Sequence, residues 1–211
     1  MMADLSTGPD GRARCAWCVA HPEYVAYHDD EWGRPVTADD RLYEKMCLEG
    51  FQAGLSWLTI LRKRDAFRSA FANFVVEKVA AFDERDVDRM LGDAGIVRHR
   101  GKIEAAIGNA TVVRQIQADE GSLAAFIWAF APAALPAPVR MADIPATTAA
   151  STALSKELRR RGARFVGPTT MYALMQAMGM VNDHLAGCHV REAVEAARAG
   201  RPSSVARKSA R

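Results

Sequence analysis

The sequence lacks several features that mark whole classes of protein. Its 211 residues contain no apolar run approaching the length of about 20 residues that a membrane-spanning helix needs. The polar N-terminal segment MMADLSTGPDGRARC lacks the apolar core of a secretory signal peptide. The alternation of apolar and polar residues that is typical of strands is nearly absent, and no internal repeat is visible. We therefore expect a cytoplasmic protein without a membrane partner, in which thiols stay reduced.

Strong overall charge is also missing. The net charge is +3, which by itself does not indicate a nucleic-acid partner. The segment 191–211 holds six Lys/Arg and two Glu, and we expect this basic tail to be disordered. Local basic clusters occur at 62–64, 98–102 and 159–164. Each of these is either a DNA-contacting patch or a solvated helix end.

Helical spacing of apolar residues dominates the chain and predicts an all-α fold. Thr37 and Asp40 form a capping-box-like helix start, and Ser56 is placed to cap a second helix. Further helices are predicted at about 98–117, 149–161 and 168–178. The Pro- and Ala-rich stretch at 131–148 is predicted to be a loop.

The same patterns predict one helical domain at 14–190. It would lie between a flexible N-terminus at 1–13 and the tail at 191–211. Within this domain we expect a central helical part and a part built from both ends of the chain, which hold most of the Cys and His residues. The central part spans 35–135, and the terminal part combines 14–34 with 149–190.

Cysteine and histidine residues near both ends suggest a metal site. Cys15 and Cys18 form a C-x-x-C pair, and His184 and Cys188 are four residues apart. Spacing alone selects these four as ligands of a tetrahedral zinc site, although the set could equally be buried thiols and unrelated histidines. Four protein ligands leave no open position for water, so such a site would be structural. It would close a loop of more than 150 residues.

A second candidate site combines a carboxylate with aromatic rings. Glu49 lies in an apolar helix end, and Trp57 follows eight residues later, past Gly54. Rings can stack on a flat ligand while a carboxylate accepts its N–H groups or meets its positive charge. The alternative is an exposed glutamate beside a core tryptophan.

The segment 91–110, LGDAGIVRHRGKIEAAIGNA, has the pattern of a helix–hairpin–helix unit. A short helix ends, a glycine-containing turn follows, and a new helix starts among Arg98, Arg100 and Lys102. Amide groups at that helix start can hold a DNA phosphate, and the basic residues add charge. Many helical hairpins have glycine-rich turns, so this pattern alone is of limited specificity.

Four segments in order, YHDDEWG, LEGFQAGLSW, IVRHRGKI and GMVNDHLAGC, resemble the bacterial 3-methyladenine DNA glycosylases of type I. The resemblance runs from about Arg14 to about Cys188. It implies an all-helical fold of the helix–hairpin–helix glycosylase superfamily, with a structural Zn²⁺ that joins the two ends. The zinc ligands it implies are Cys15, His28, His184 and Cys188, so that His28 takes the place of Cys18.

The resemblance also implies a function and its residues. The chain would act as a monomer on alkylated double-stranded DNA and would hydrolyse the glycosidic bond of 3-methyladenine, without lyase activity. The base would be bound by Glu49, Tyr27 and Trp57, with Trp17, Tyr24 and Trp32 nearby. DNA would be contacted by Gln52, Gly54, Leu55, Arg98, Arg100, Gly101 and Lys102.

Three rival interpretations remain at this point. A DNA-binding module without catalysis would keep the basic hairpin but would have no use for a base pocket. A zinc-dependent hydrolase of small molecules would need an open metal position. A glycosylase for another alkylated purine would need a different pocket, whereas the pocket segment here is intact.

Overall fold

The computed structural model describes residues 4–133 and 136–200, and it is mainly helical over these ranges. Eleven α-helices lie within them: α1 (Pro22–Asp30), α2 (Asp39–Gln52), α3 (Trp57–Arg62), α4 (Arg64–Ala70), α5 (Val76–Ala80), α6 (Glu84–Gly92), α7 (Arg100–Glu120), α8 (Leu123–Trp128), α9 (Ala149–Arg160), α10 (Pro168–Ala177) and α11 (Arg191–Ala199). The predicted helical fold class is confirmed. No helix among the described residues is long and apolar enough to cross a membrane.

Helix α2 forms the centre of the fold. Its residues from Leu42 to Phe51 are all buried, and it packs against α3, α7, α8 and α10. Tyr43 anchors it to α7 by donating a hydrogen bond of 2.7 Å to the carbonyl of Ala106. Phe51 packs at 4.6 Å from the ring of Phe67 on α4. Because α2 is surrounded by other elements, its charged residues are buried with its apolar ones.

Several predicted helix boundaries are confirmed. Ser56 caps α3 by accepting a hydrogen bond from the Thr59 amide at 3.2 Å. The helices predicted at 98–117, 149–161 and 168–178 correspond to α7, α9 and α10. The proline at the start of α10 occupies the first turn, where no backbone donor is needed.

The predicted capping box at Thr37 is wrong. Helix α2 begins at Asp39, and its N-cap residue, Ala38, offers no side-chain acceptor. Asp39 instead caps a different helix, because its carboxylate accepts hydrogen bonds from the amides of Leu123 and Ala124, both at 2.9 Å. A tertiary contact between the starts of α2 and α8 has replaced the local cap, and local sequence patterns carry no signal for it.

Both ends of the chain are more structured than the sequence indicates. Strand β1 (Leu5–Thr7) pairs antiparallel with β2 (Ala13–Cys15), within the segment expected to be flexible. Helix α11 lies within the segment expected to be disordered, and its Val194 is fully buried. Residues 201–211 of the predicted tail lie outside the described residues.

A buried arginine fastens the N-terminal hairpin. The guanidinium of Arg14, which is 4% exposed, donates hydrogen bonds to both carboxylate oxygens of Asp29 at 2.8–3.1 Å. It also donates to both oxygens of Asp10, at 2.8 and 2.7 Å. Burial acts to raise the pKa of Asp29, but the hydrogen bonds with Arg14, His28 and His189 outweigh it and hold that pKa well below its ordinary value. The hairpin is thereby tied to the end of α1.

We predict that Arg14→Met destabilises the protein by about 2 kcal/mol, because Asp29 loses charge-assisted hydrogen bonds in a largely buried position. Arg12→Met is the matched control, since Arg12 is exposed and its substitution should cost no more than about 0.5 kcal/mol. The free energy of unfolding in urea measures both effects. Equal stability of the two variants would contradict this role of Arg14.

Candidate active site and metal centre

A pocket of about 230 Å³ opens between the end of α2, helix α1 and the start of α3. This volume lies below the range of about 300–1,000 Å³ that holds drug-sized ligands, so it suits a single flat ring system. Of the residues predicted from the sequence, it is lined by Trp17, Tyr27, Trp32, Glu49, Gln52 and Trp57. Met141, Ile144, Ala173 and Gln176 complete the lining and were not predicted, because they come from distant parts of the chain.

A buried lysine connects three of these residues. Lys45 lies one turn before Glu49 on α2, and its Nζ is 2.7 Å from Oε1 of that carboxylate. The same Nζ donates to the Tyr27 hydroxyl at 2.9 Å and lies 3.2 Å from the centroid of the Trp57 ring. Sequence analysis missed Lys45, although its i, i+4 spacing to Glu49 is the signal that could have revealed it.

Burial controls the ionisation of this group. It lowers the pKa of Lys45, while the Glu49 carboxylate opposes that shift by favouring the ammonium form. Burial, reinforced by Glu49, raises the pKa of Tyr27 well above its ordinary value. Tyr27 is therefore a neutral phenol. The pocket combines this phenol with a carboxylate and with flat rings.

The aromatic residues around the pocket support one another edge to face. Trp17 packs at 5.2 Å from Trp32 and at 5.6 Å from Tyr24, in T-shaped arrangements. Tyr24, unlike the other predicted aromatic residues, is not among those that line the pocket. Its hydroxyl accepts a hydrogen bond of 2.8 Å from the Leu58 amide, so Tyr24 holds the first turn of α3 in place.

Gln52 lines the pocket from the last position of α2, and Leu55 lies on the turn that follows. Gly54 has φ of +83°, a left-handed conformation that favours glycine, and Leu55 is 43% exposed. Lys102 of α7 secures this turn by donating hydrogen bonds to the carbonyls of Phe51 and Ala53, at 2.9 and 2.5 Å. Its side chain is thus committed inside the protein, which does not fit the predicted DNA contact.

Helices α6 and α7 cover the segment predicted to form a helix–hairpin–helix unit, and they pack against each other. His99 caps α7 by accepting a hydrogen bond from the Lys102 amide at 3.2 Å. Gly101 lies in the first turn, next to the His99 ring. Arg98 is exposed, whereas Arg100 forms ion pairs with Glu84 and Asp88. Within residues 4–133 and 136–200, Arg98 has no ion pair.

Ligand atoms from both ends of the chain meet at a second site. Atoms of Cys15, His28 and Cys188 all lie within 4.8 Å of one another. The Nδ1 atom of His28 is hydrogen-bonded to Asp29 at 2.7 Å, which leaves Nε2 facing Cys188 at 3.5 Å. His184 packs against His28, and its Nε2 is buried without a hydrogen-bond partner among the described residues.

The side chains of this cluster are of the types that bind zinc in proteins. A hydrogen bond with Cys15 lowers the pKa of Cys188 most, and a hydrogen bond with His28 lowers it further, so the thiolate of Cys188 is favoured. Burial acts to lower the pKa of His28, but hydrogen bonds to Cys18, Cys188 and Asp29 outweigh it and raise that pKa to about 10. Thiolates and imidazoles suit zinc. The fully buried Cys18 lies nearby but does not belong to the three-residue cluster.

Comparisons with known proteins agree on one family. The model of the methyladenine glycosylase family matches residues 17–192. DNA-3-methyladenine glycosylase 1 of Escherichia coli K12 is 50% identical over 178 residues, which cover 83% of this chain and 95% of that protein. The corresponding enzyme of Haemophilus influenzae is 43% identical over 178 residues, covering 83% of this chain and 96% of its own.

Solved structures show the same relationship. A crystal structure of 3-methyladenine DNA glycosylase I aligns with a TM-score of 0.81 at 47% identity, over 83% of this chain and 98% of that one. The Staphylococcus aureus enzyme, whose structure describes 3-methyladenine recognition, aligns with a TM-score of 0.81 at 35% identity. That alignment covers 84% of this chain and 96% of the other.

We predict that Arg98→Met and Lys102→Met differ in their effect on DNA binding. The logarithm of the DNA-binding constant falls linearly as the logarithm of the salt concentration rises. Loss of one phosphate contact makes this negative slope shallower by about 1, and we expect this for Arg98→Met. Lys102→Met should leave the slope unchanged, because the Lys102 ammonium is bound to backbone carbonyls. Titration of duplex DNA at several salt concentrations measures the slopes. An equal reduction in both variants would restore Lys102 as a phosphate contact.

Proposed function

The chain belongs to the methyladenine glycosylase family, and on that premise we propose that it excises 3-methyladenine from alkylated double-stranded DNA. It is an N-glycosyl hydrolase of DNA repair that leaves an abasic site. The observation that carries this proposal is the meeting of Glu49, Tyr27 and Trp57 around one pocket of suitable size for a base. A binding module without catalysis gives no reason for such a pocket.

Recognition requires the base to leave the duplex. An enzyme that acts on a stacked base must extrude it into a pocket. In this pocket the Glu49 carboxylate would accept a hydrogen bond from the exocyclic amine of the base, Trp57 would stack on its face, and Tyr27 would fix its edge. Gln52, at the end of α2, and Leu55, on the turn that follows, would fill the gap left in the duplex.

The chemistry needs little from the protein. Methylation at N3 leaves the nucleobase cationic, so the electron pair of the glycosidic bond moves onto the base and the base departs neutral. Water then adds to the cationic sugar and releases a proton to solvent. No strong acid is required, and catalysis comes from holding the extruded nucleotide in a reactive state. Glu49 is then chiefly a specificity residue.

We expect no lyase activity from the lysine beside the pocket. A Schiff base requires an uncharged, accessible amine. Burial restricts access to the Lys45 amine, and the Glu49 carboxylate, whose Oε1 is 2.7 Å from Nζ, favours its ammonium form, so this amine would not be free to attack the sugar. The chain would act as a monofunctional glycosylase and as a monomer.

We also propose a structural Zn²⁺ held by Cys15, His28, His184 and Cys188. Two observations support this set. The ligand atoms of Cys15, His28 and Cys188 are clustered, and Nε2 of His184 is buried without a hydrogen-bond partner among the described residues. Asp29, which is hydrogen-bonded to Nδ1 of His28, would orient Nε2 toward the metal, as outer-shell carboxylates commonly do. The ion would join the two ends of the chain and take no part in the reaction.

The hairpin formed by α6 and α7 would hold the DNA backbone. Amide groups in the first turn of α7, near Gly101, would face a phosphate, with Arg98 and Arg100 adding positive charge. Lys102 would contribute indirectly, by tying this hairpin to the end of α2 and the turn that follows.

We predict that the wild-type protein releases 3-methyladenine from methylated DNA, measured by chromatography of radiolabelled bases, with little release of 7-methylguanine. Glu49→Gln should reduce release by about tenfold or more, because the amide lacks the charge and one acceptor position of the carboxylate. Glu77→Gln is the matched control, because Glu77 is exposed on α5. A folded, zinc-replete wild type that released no base would refute the proposed function.

The metal proposal makes a separate prediction. Cys188→Ser should reduce bound zinc to well below one ion per chain and should lower the melting temperature, because the closed loop is released. Cys18→Ser should retain the full zinc content, since His28 and not Cys18 is the proposed ligand. Metal analysis after gel filtration measures both. Loss of zinc from both variants would instead favour the ligand set selected by spacing, which contains Cys18 as well as Cys188.

A further inference from the structure

Lys45 is the charged residue at the pocket that the proposed recognition of the base does not use. Its side chain is only 7% exposed, and it contacts Glu49, Tyr27 and Trp57 together. These are the three residues proposed to bind the base. A cation in this position is unexpected, because the methylated base is itself cationic while it is attached to DNA.

The movement of charge during the reaction explains what a lysine could do there. Positive charge lies on the base in the substrate and moves to the sugar as the glycosidic bond breaks. A lone buried carboxylate beside the base would stabilise the cationic reactant more than the transition state, and would therefore raise the barrier. A carboxylate paired with an ammonium keeps its hydrogen-bond acceptors but loses most of this bias.

Lys45 also sets the direction of two hydrogen bonds. An ammonium group can only donate, so the Tyr27 oxygen accepts from Nζ and its own O–H hydrogen remains for another partner. The bond to Nζ engages Oε1 of Glu49, which leaves Oε2 as an acceptor. Tyr27 can therefore offer a donor to a bound base, and Glu49 an acceptor.

Other nearby charges do not take over this role. Glu31, directly after α1, and Arg64 on α4 lie close enough to influence Lys45, but they are bound to each other by two hydrogen bonds of 2.6 and 2.9 Å. Because this pair is internally neutral, the ammonium of Lys45 is the counter-ion of Glu49 among the described residues.

We propose that Lys45 is a positioning residue that orients Glu49 and Tyr27 and compensates the Glu49 charge. The pocket then recognises the methylated base without stabilising its cationic form more than the transition state. This inference rests on the proposed glycosylase function. Lys45 would then change the rate of base release and not the affinity for DNA.

The test is single-turnover release of 3-methyladenine from methylated duplex DNA at increasing enzyme concentration. This yields a rate at saturation and a half-saturating concentration. Lys45→Met keeps much of the side-chain volume and removes the charge. We expect its saturating rate to fall by about tenfold or more, while its half-saturating concentration stays constant or decreases. Lys78→Met, on the exposed face of α5, is the matched control with wild-type values.

Two further variants separate this role from a purely structural one. Lys45→Arg keeps the charge and should recover part of the lost rate. In a Glu49→Gln background the ammonium has no carboxylate to compensate, so adding Lys45→Met should lower the rate by less than it does in the wild-type protein, and the remaining loss reflects the orientation of Tyr27. If Lys45→Met does not fold, Lys45→Leu serves as the uncharged variant.

The outcomes are distinct. A folded, uncharged Lys45 variant with the wild-type saturating rate would overturn the inference, as would an equal loss of rate in the presence and absence of the Glu49 carboxylate. Absence of 3-methyladenine release by the wild-type protein would instead overturn the proposed function itself.

Discussion

Burial of α2 is the constraint on which the rest of the structure depends. The helix lies inside the fold from Leu42 to Phe51, so every charged side chain it carries there needs a partner. Glu44 meets Arg41 and Arg68, and Lys45 meets Glu49. Glu49 lines the pocket, whereas Glu44 does not. The chemistry of the candidate site therefore arises from the same requirement that stabilises the core.

The two ends of the chain provide the other half of the arrangement. Trp17 lies two residues after the end of β2, the strand that carries Arg14, and Arg14 is bound to Asp29 at the end of α1. The same carboxylate is hydrogen-bonded to His28, one of the clustered potential metal ligands. Fastening the ends thus also fixes one wall of the pocket. Loss of the proposed metal should therefore alter the position of Trp17 in the pocket wall through these contacts.

Local chemistry decided which features could be predicted from the sequence. Ser56 as a helix cap and the helix starting near residue 98 followed from short-range patterns, and the resemblance of four segments indicated a pocket around Glu49. The cap supplied by Asp39 to α8 joins residues more than 80 positions apart, and no local pattern reveals it. Lys102 illustrates the same limit, because a basic residue in a hairpin suggests DNA until its carbonyl partners are known. Lys45 was missed because the recognition argument considered only the carboxylate and the rings.

The central claim is that the ion pair of Lys45 and Glu49, with Tyr27 and Trp57, forms the site for the methylated base. A crystal structure of this protein with free 3-methyladenine tests it most directly. We expect the base to be stacked on Trp57, its exocyclic amine to lie within hydrogen-bonding distance of Glu49, and Lys45 to remain bound to that carboxylate. A base bound elsewhere, or a Lys45 side chain displaced from Glu49 by the ligand, would contradict it.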